Sequence, residues 1–518
     1  MRPEARHRVP GGGLGALLAL LPTLFGGFGP SGLPLAQGAE RAPEPSSVLR
    51  NGVPSSTAAI PATPSPAEQL AILNQRLYRN RDHLERNARR ITLAESMALA
   101  LERNPILAKA HAGIEATRWS GVAIRREWSP SLKADNNDPG LVGVQQNRDN
   151  TLSVSSPELT LEWTFFDPSR TPRARANQAN LDADRFLFDV GARSLMLNVQ
   201  ESYVDLQSLL LLEVEYRQLS AMVDHWLALA RARRGASPDV DQLVSQQLAL
   251  LILRVDTHEL VIVAASKLAR ALSLPPGDLV LPAEPLAQRG QWTLSRQETI
   301  EQALRLREEI QRSLATARSY AWTAVATRKG YLPTLSVEGT GSTQTSSNSS
   351  DLNSEAMVGM NVRWTFFDGG ILAAKATSQR RQQDQALQQA ALDRLAVTEE
   401  VETSFAAYIN SQIVADTAIA QMKSARASFL SATTSFQAGT SDATTLLQVL
   451  ANARGAVEAY SHALRKHNRS VAELERYSAR WPAAAPPLPR QRVAGPGGDF
   501  GGGDQMSAPT PAPPGRGP

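Results

Sequence analysis

The five residues Trp163-Thr164-Phe165-Phe166-Asp167 return as Trp364-Thr365-Phe366-Phe367-Asp368, 364 − 163 = 201 positions later. The flanks repeat with them. Thr92-x-x-Glu95 and Ser295-x-x-Glu298, both patterned as helix-opening capping boxes, stand 295 − 92 = 203 apart, as do Trp119 and Trp322 and also Pro130 and Pro333. Val199, Tyr203 and Leu206 recur as Val401, Phe405 and Tyr408 at 202, and Gly235 recurs as Gly439 at 204. Offsets that drift so little over a whole half mark a tandem duplication. A chain of 518 residues is more than one hydrophobic core usually organises, and two copies of one unit account for it.

Each unit has the same grammar. A capped helix is expected over residues 92–128 and 295–330, running into a proline that disfavours helix in the residue before it. Strands follow, at about 130–138 and 157–166 in the first unit and about 333–341 and 357–367 in the second. Met360, Val362, Trp364 and Phe366 alternate with Asn361, Arg363 and Thr365, and Leu159, Leu161, Trp163 and Phe165 alternate with Thr160, Glu162 and Thr164. That is the period of two of a strand with one apolar face. Lys133, Asp135, Glu162, Glu338 and Arg363 fall on the polar face. The stretch 341–354 between the second pair reads as a polar loop without structure. Helical runs then occupy 168–234 and 369–438, proline-free after Pro172, and at 1.5 Å per residue each would reach roughly 100 Å. Each ends at a glycine, and the returning helices at about 238–272 and 442–477 complete two antiparallel coiled-coil hairpins, 168–272 and 369–477.

Arg2, Arg6 and Arg8 precede the apolar stretch Leu14–Leu21 and a small-residue end near Pro34-Leu35-Ala36, the pattern of a signal peptide over 1–36. Those residues carry three Arg and one Glu, so the formal charge of +4 falls to 4 − 2 = +2 without them, and the basic pI is no sign of a nucleic-acid partner. The absence of cysteine excludes disulfides, thiolate metal sites and a lipid-modified cysteine. No later stretch has the roughly 18 apolar residues of a spanning helix, so membrane strands in an exported chain call for a barrel. The remaining segments read as a partly disordered N-terminal extension (37–90), a first repeat (91–272), a linker (273–291), a second repeat (292–477) and a disordered Pro/Gly-rich tail (478–518).

Four strands cannot close a barrel, and open edges in lipid leave backbone groups unpaired at several kcal/mol each. Three copies would supply twelve strands, within the known range, above a tube of twelve helices. The ordered set of features resembles the TolC-like outer-membrane efflux proteins over about residues 91–477. It is carried by the duplicated helix, strand pair and hairpin, by Leu101-Glu102-Arg103-Asn104-Pro105, by WTFFD, and by the glycine turn that opens AGTSDATTLLQVLANAR at 438–454.

The resemblance implies a mainly α fold with a small membrane β-barrel, in which three chains form one α/β barrel tunnel. It implies a homotrimer seated in outer-membrane lipid and reaching through the periplasm to a periplasmic adaptor protein and an inner-membrane pump of RND or ABC type. It implies passive export, no enzymatic chemistry and no cofactor. By position it carries an acidic constriction residue onto Asp241, six places after Gly235, with Thr445 at the equivalent place after Gly439. The turns Arg233-Arg234-Gly235 and Gln437-Ala438-Gly439 become the adaptor-contacting tips. Lys133, Asp135, Glu162, Glu338 and Arg363 become lumen residues, where charge tunes selectivity.

The competing expectation is a coiled-coil scaffold or surface protein of the cell envelope with no pore. No HExxH, GxSxG or P-loop is present. Of the seven His, only His462 and His467 are close, five apart rather than the i, i+4 of a helical metal pair, so the histidines read as surface residues.

Overall fold

The computed structural model describes residues 66–136, 143–144, 151–152, 154–155, 157–234, 238–346 and 349–488. The expected signal peptide and the end of the tail lie outside them. In chain order the elements are α1 (Pro66–Asn87), β1 (Arg89–Ile91), α2 (Leu93–Arg103), α3 (Pro105–Arg126), β2 (Ser131–Asn136), β3 (Gly143–Val144), β4 (Thr151–Leu152), β5 (Val154–Ser155), β6 (Pro157–Phe166), α4 (Arg170–Arg234) and α5 (Pro238–Ala271). Then come β7 (Val280–Pro282), α6 (Arg296–Leu306), α7 (Glu308–Arg328), β8 (Thr334–Ser346), β9 (Ser349–Arg363), α8 (Ile371–Ala438) and α9 (Ala443–Tyr477).

Both capping boxes form as the sequence dictates: Glu95 N donates to Thr92 Oγ1 at 3.2 Å and Thr92 N to Glu95 Oε2 at 3.0 Å, with Ser295 and Glu298 repeating the pair at 3.3 and 2.9 Å. The helices they open are shorter than expected, because each single helix of 92–128 and 295–330 is two. In the first repeat the break is at Asn104, whose side chain accepts from Ile106 N at 2.9 Å while donating to Ala271 O at 3.0 Å, and Pro105 opens the next helix. An N-cap and a proline at the first helical position are together a helix start. In the second repeat no proline is needed. Arg307 takes an extended backbone there, and its buried guanidinium bonds Tyr477 O at 3.2 Å and pairs with Glu309 at 2.9 Å and Glu400 at 2.8 Å.

The long helices match the sequence to within two residues of their starts. Their 65 and 68 residues correspond to about 100 Å. Because α5 and α9 have 34 and 35 residues, each covers only half of its partner, and the shorter pairs α2–α3 and α6–α7 pack along the other half. The end of α5 meets α2 against α4, where Met97, Ala100, Met196, Val199, Tyr203, Leu206, Leu268 and Leu272 form one buried cluster. The repeated apolar triplet therefore faces the core: Val199, Tyr203, Leu206, Val401 and Tyr408 are buried.

This middle region is girdled by chain that the sequence reading left as connections. The linker contributes β7, which pairs in parallel with β1 through Arg89↔Val280, Arg90↔Leu281 and Ile91↔Pro282. The expected disordered tail is ordered from Ser478 to Leu488, with Trp481, Ala485 and Leu488 packed against the same cluster. Apolar side chains as sparse as these are hard to read as core from sequence, since their periodicity is absent and only the partner surface gives them burial. Two histidines also depart from the surface reading. His258 and His467 are 5% and 1% exposed, and His467, whose burial holds its imidazole below the usual pKa, lies 3.4 Å from Ser411 Oγ.

Both returning helices end in the same turn. Leu274 N donates to Ala269 O and Ser273 N to Arg270 O, and likewise Arg480 N to Glu475 O and Ala479 N to Arg476 O. These are Schellman turns with Ser273 (φ 55) and Ala479 (φ 59) in the left-handed conformation. Since that conformation costs an L-residue roughly 1–2 kcal/mol, Ser273→Gly is expected to raise stability by about 1 kcal/mol in denaturant titration. Ala479→Gly should gain less, because its methyl is packed at 5% exposure.

Candidate functional site: the strand sheet and the hairpin tips

β2, β6, β8 and β9 form an antiparallel sheet in that order, with β5 pairing on β8 beside β6. The two repeats join through β6 and β8, leaving β2 and β9 as edges. β8 and β9 extend into the expected loop of 341–354, pairing as far as Thr345↔Leu352 and Ser346↔Ser349. Polar alternation in a long hairpin looks the same as a polar loop until a partner strand supplies the ladder. At the other end β9 stops at Arg363, so Trp364 to Phe367, expected as the end of a strand over 357–367, lie outside it, whereas in the first repeat β6 continues to Phe166.

Register places the polar candidates together. Ser131 faces Glu162, Glu162 faces Glu338, and Thr334 faces Arg363. Residues directly opposite share a face and alternate residues keep it, so Lys133, Asp135, Glu162, Glu338 and Arg363 stand on one side. Lys133 Nζ lies 3.2 Å from Glu162 Oε2, which offsets part of the repulsion between Glu162 and Glu338. The opposite side is apolar and uncovered: Leu132, Leu161, Trp163, Met360 and Val362 are exposed, and Val358 is 83% exposed.

The structure explains the WTFFD repeat. Trp163 Nε1 donates to Trp128 O at 2.9 Å and Trp364 Nε1 to Tyr331 O at 3.0 Å, tying each strand end to the end of the helix before it. The aspartates start the long helices. Asp167 accepts from Ser169 N at 2.8 Å and pairs with Arg173 at 3.0 Å, and Asp368 accepts from Leu372 N at 2.7 Å, Gly370 N at 2.9 Å and the Tyr331 hydroxyl at 3.0 Å. Burial opposes ionisation of Asp167, but the Ser169 hydrogen bonds and the Arg173 and Arg170 guanidinium groups outweigh it, and its carboxyl sits below the usual range. Backbone donation from Leu372 does the same for Asp368. Between them, Phe366 and Phe367 are 80% and 81% exposed at the sheet's helix-facing end.

At the far end, Gly235 lies outside the described residues and Arg234 is placed only as the last residue of α4. Gly439 is left-handed (φ 79) and forms the C′ position of a third Schellman turn, with Thr440 N donating to Ser435 O. The two tips are bound to each other. Arg233 Nη1 donates at 2.7 Å to Phe436 O, which also accepts from Gly439 N, and Nη2 donates to Gln437 O at the end of α8. Gln437 Nε2 is 3.1 Å from His225 Nε2. Beneath them Trp226, wholly buried, meets Phe429 at 5.2 Å between ring centroids, in a cluster drawn from all four hairpin helices.

Asp241 is exposed in the first turn of α5. Thr445 is exposed too, but its N–H and hydroxyl both bond Asp442 Oδ1, at 3.0 and 2.6 Å. The second tip therefore does carry an acid, as an N-cap, and the Asp-x-x-Thr spacing was the signal for it. No group of acidic, His or Cys side chains suited to a metal ion occurs among the described residues.

Residues 299–480 match the family described as outer membrane efflux protein. No curated protein matches the chain. Among solved structures, the open state of the Neisseria gonorrhoeae MtrE outer membrane channel is similar at TM-score 0.63 and 17% identity, covering 75% of this chain and 89% of that one. The Campylobacter jejuni CmeC outer membrane channel gives 0.62 and 15%, covering 74% and 85%. The Vibrio cholerae outer membrane protein VceC gives 0.60 and 15%, covering 75% and 96%. The fold is thus that of an outer-membrane channel subunit. The match to that family falls on the second repeat, from residue 299 onward, and the solved structures share the fold of the whole.

Proposed function

We propose that the protein is an outer-membrane duct, through which substrates from the periplasm or from an inner-membrane pump leave the cell by passive conduction through a ring of three copies. The observation that carries this is the sheet: one uncovered apolar face, one charged face, two open edges, and helices of about 100 Å continuing from its base. A soluble scaffold would leave that apolar face in water, a contiguous patch that soluble monomers rarely expose. In lipid the face is solvated, and β2 of one copy completes the ladder of β9 on the next. Three copies then close twelve strands around the charged face, making Lys133, Asp135, Glu162, Glu338 and Arg363 the lumen. Trp364, Phe366 and Phe367 at the sheet's base suit the aromatic girdle at a membrane interface.

Val358→Arg tests the lipid-facing assignment. It should cost about 2–4 kcal/mol if the position lies near the midplane and strip the protein from the outer-membrane fraction, while Glu338→Gln should leave it there. Recovery of the unaltered chain as a detergent-free soluble monomer would sink the duct reading.

At the periplasmic end, Asp241 is the candidate constriction residue and Thr445 its neutral counterpart, while Arg233, Arg234, Gly235, Gln437 and Gly439 form the tips offered to a periplasmic adaptor coupled to a pump of RND or ABC type. Asp241→Asn is expected to lower the cation preference of the channel in planar bilayers. Unchanged ion selectivity would remove Asp241 from the conduction path.

A further inference from the structure

Helix α1 has no counterpart in the second repeat, yet it is held firmly. Its Leu77 is buried against Leu251 of α5, and Asn74 Oδ1 accepts from the buried Arg254 at 3.0 Å. Arg81 Nε lies 3.6 Å from Glu213 Oε1, which is 3.3 Å from His258 Nδ1, with Glu213 and His258 both under a tenth exposed. Beside these anchors runs an open groove of 540 Å³ walled by Leu73 and Leu77 of α1 and by Leu251, Ile252, Val255 and Ile262 of α5. Most of this wall faces outward in the single chain: Leu73 is 44%, Ile252 62% and Val255 47% exposed.

We propose that α1 and α5 together form a seat for α8 of a second copy of this chain, with α1 as its outer wall. The proposal rests on the ring reading above and adds a role for α1 that the ring does not itself require. Within one copy α5 packs on α4, α4 on α9 and α9 on α8, so α5 and α8 end the helix layer as β2 and β9 end the sheet. A ring that joins the strand edges brings α8 of the next copy to α5. Their exposed apolar positions agree in height. Counted from the first residue of α5, Leu248 and Val255 lie 10 and 17 residues up; counted from the last residue of α8, Leu430 and Ile419, which share one face of that helix, lie 8 and 19 up. At 1.5 Å per residue the pairs differ by about 3 Å or less, well within one helical turn.

The test uses the full chain in outer-membrane vesicles, with the photo-crosslinking residue p-benzoylphenylalanine replacing Leu73. Illumination should yield a species of twice the chain mass whose linked peptide maps to α8 between Ile409 and Leu430. Ile252→Asp, at a position exposed in the single chain, should lower the detergent-resistant oligomer at least tenfold at a fixed temperature. Crosslinks confined to the same chain, or reaching another protein, together with an unaffected Ile252→Asp oligomer, would overturn the seat while leaving the duct intact. A monomeric unaltered chain in the membrane would overturn both.

Discussion

Trp226→Ala is expected to destabilise the assembled protein by about 3–5 kcal/mol, the range for removing a large aromatic from a packed core. Trp226 is wholly buried, packs at a tilt against Phe429 and sits among Leu219, Val223, Leu243, Leu446 and Leu450. It is the side chain through which the α4–α5 hairpin grips the α8–α9 hairpin near the tips. The loss should therefore be local before it is global. Protease susceptibility and amide exchange should rise first around 216–230 and 429–450, while the sheet and the middle girdle stay protected. The indole N–H has no hydrogen-bond partner, so Trp226→Phe should cost far less than alanine. Equal costs for the two would mean that the ring's volume is not what holds the hairpins.

Arg307→Ala should cost about 3 kcal/mol, the low end for breaking a buried ion pair, because Glu400 is partly exposed and can rehydrate. Arg307 occupies the break between α6 and α7 and gathers Glu309, Glu400 and Tyr477 O, while Arg476 reaches Glu309 at 2.5 Å. Burial resists ionisation of Glu309, but the Arg307 hydrogen bond and the Arg476 charge prevail and bring its pKa down to about 2. A carboxylate whose folded pKa is depressed stabilises fully above its unfolded value near 4.5 and loses that contribution as pH falls toward the folded one. The Glu309→Gln protein should thus be less stable than the unaltered protein at pH 7, with the gap closing between about 4.5 and 2. A gap independent of pH over that window would show that packing, not charge, supports the joint.

The sequence determined the repeat and everything local within it. Capping boxes, proline-opened helices, proline-free runs and the alternation at 159–165 and 360–363 are decided by interactions spanning a few residues, so their residue order suffices. It also placed all five charged strand residues on one face, since a period of two survives any register that keeps the faces apart. What the sequence left open were features completed by distant chain. Asn104 and Arg307 break helices by bonding Ala271 and Tyr477. The polar 341–354 becomes strand because β8 and β9 ladder through it. Trp481 and Leu488 are core because α2, α4 and α5 leave a surface for them. Arg233 belongs with Phe436 and Gln437 only once two hairpins lie side by side. Each of these depends on a partner more than sixty residues away, or on the sheet as a whole, and backbone hydrogen bonding and burial are properties of both partners together.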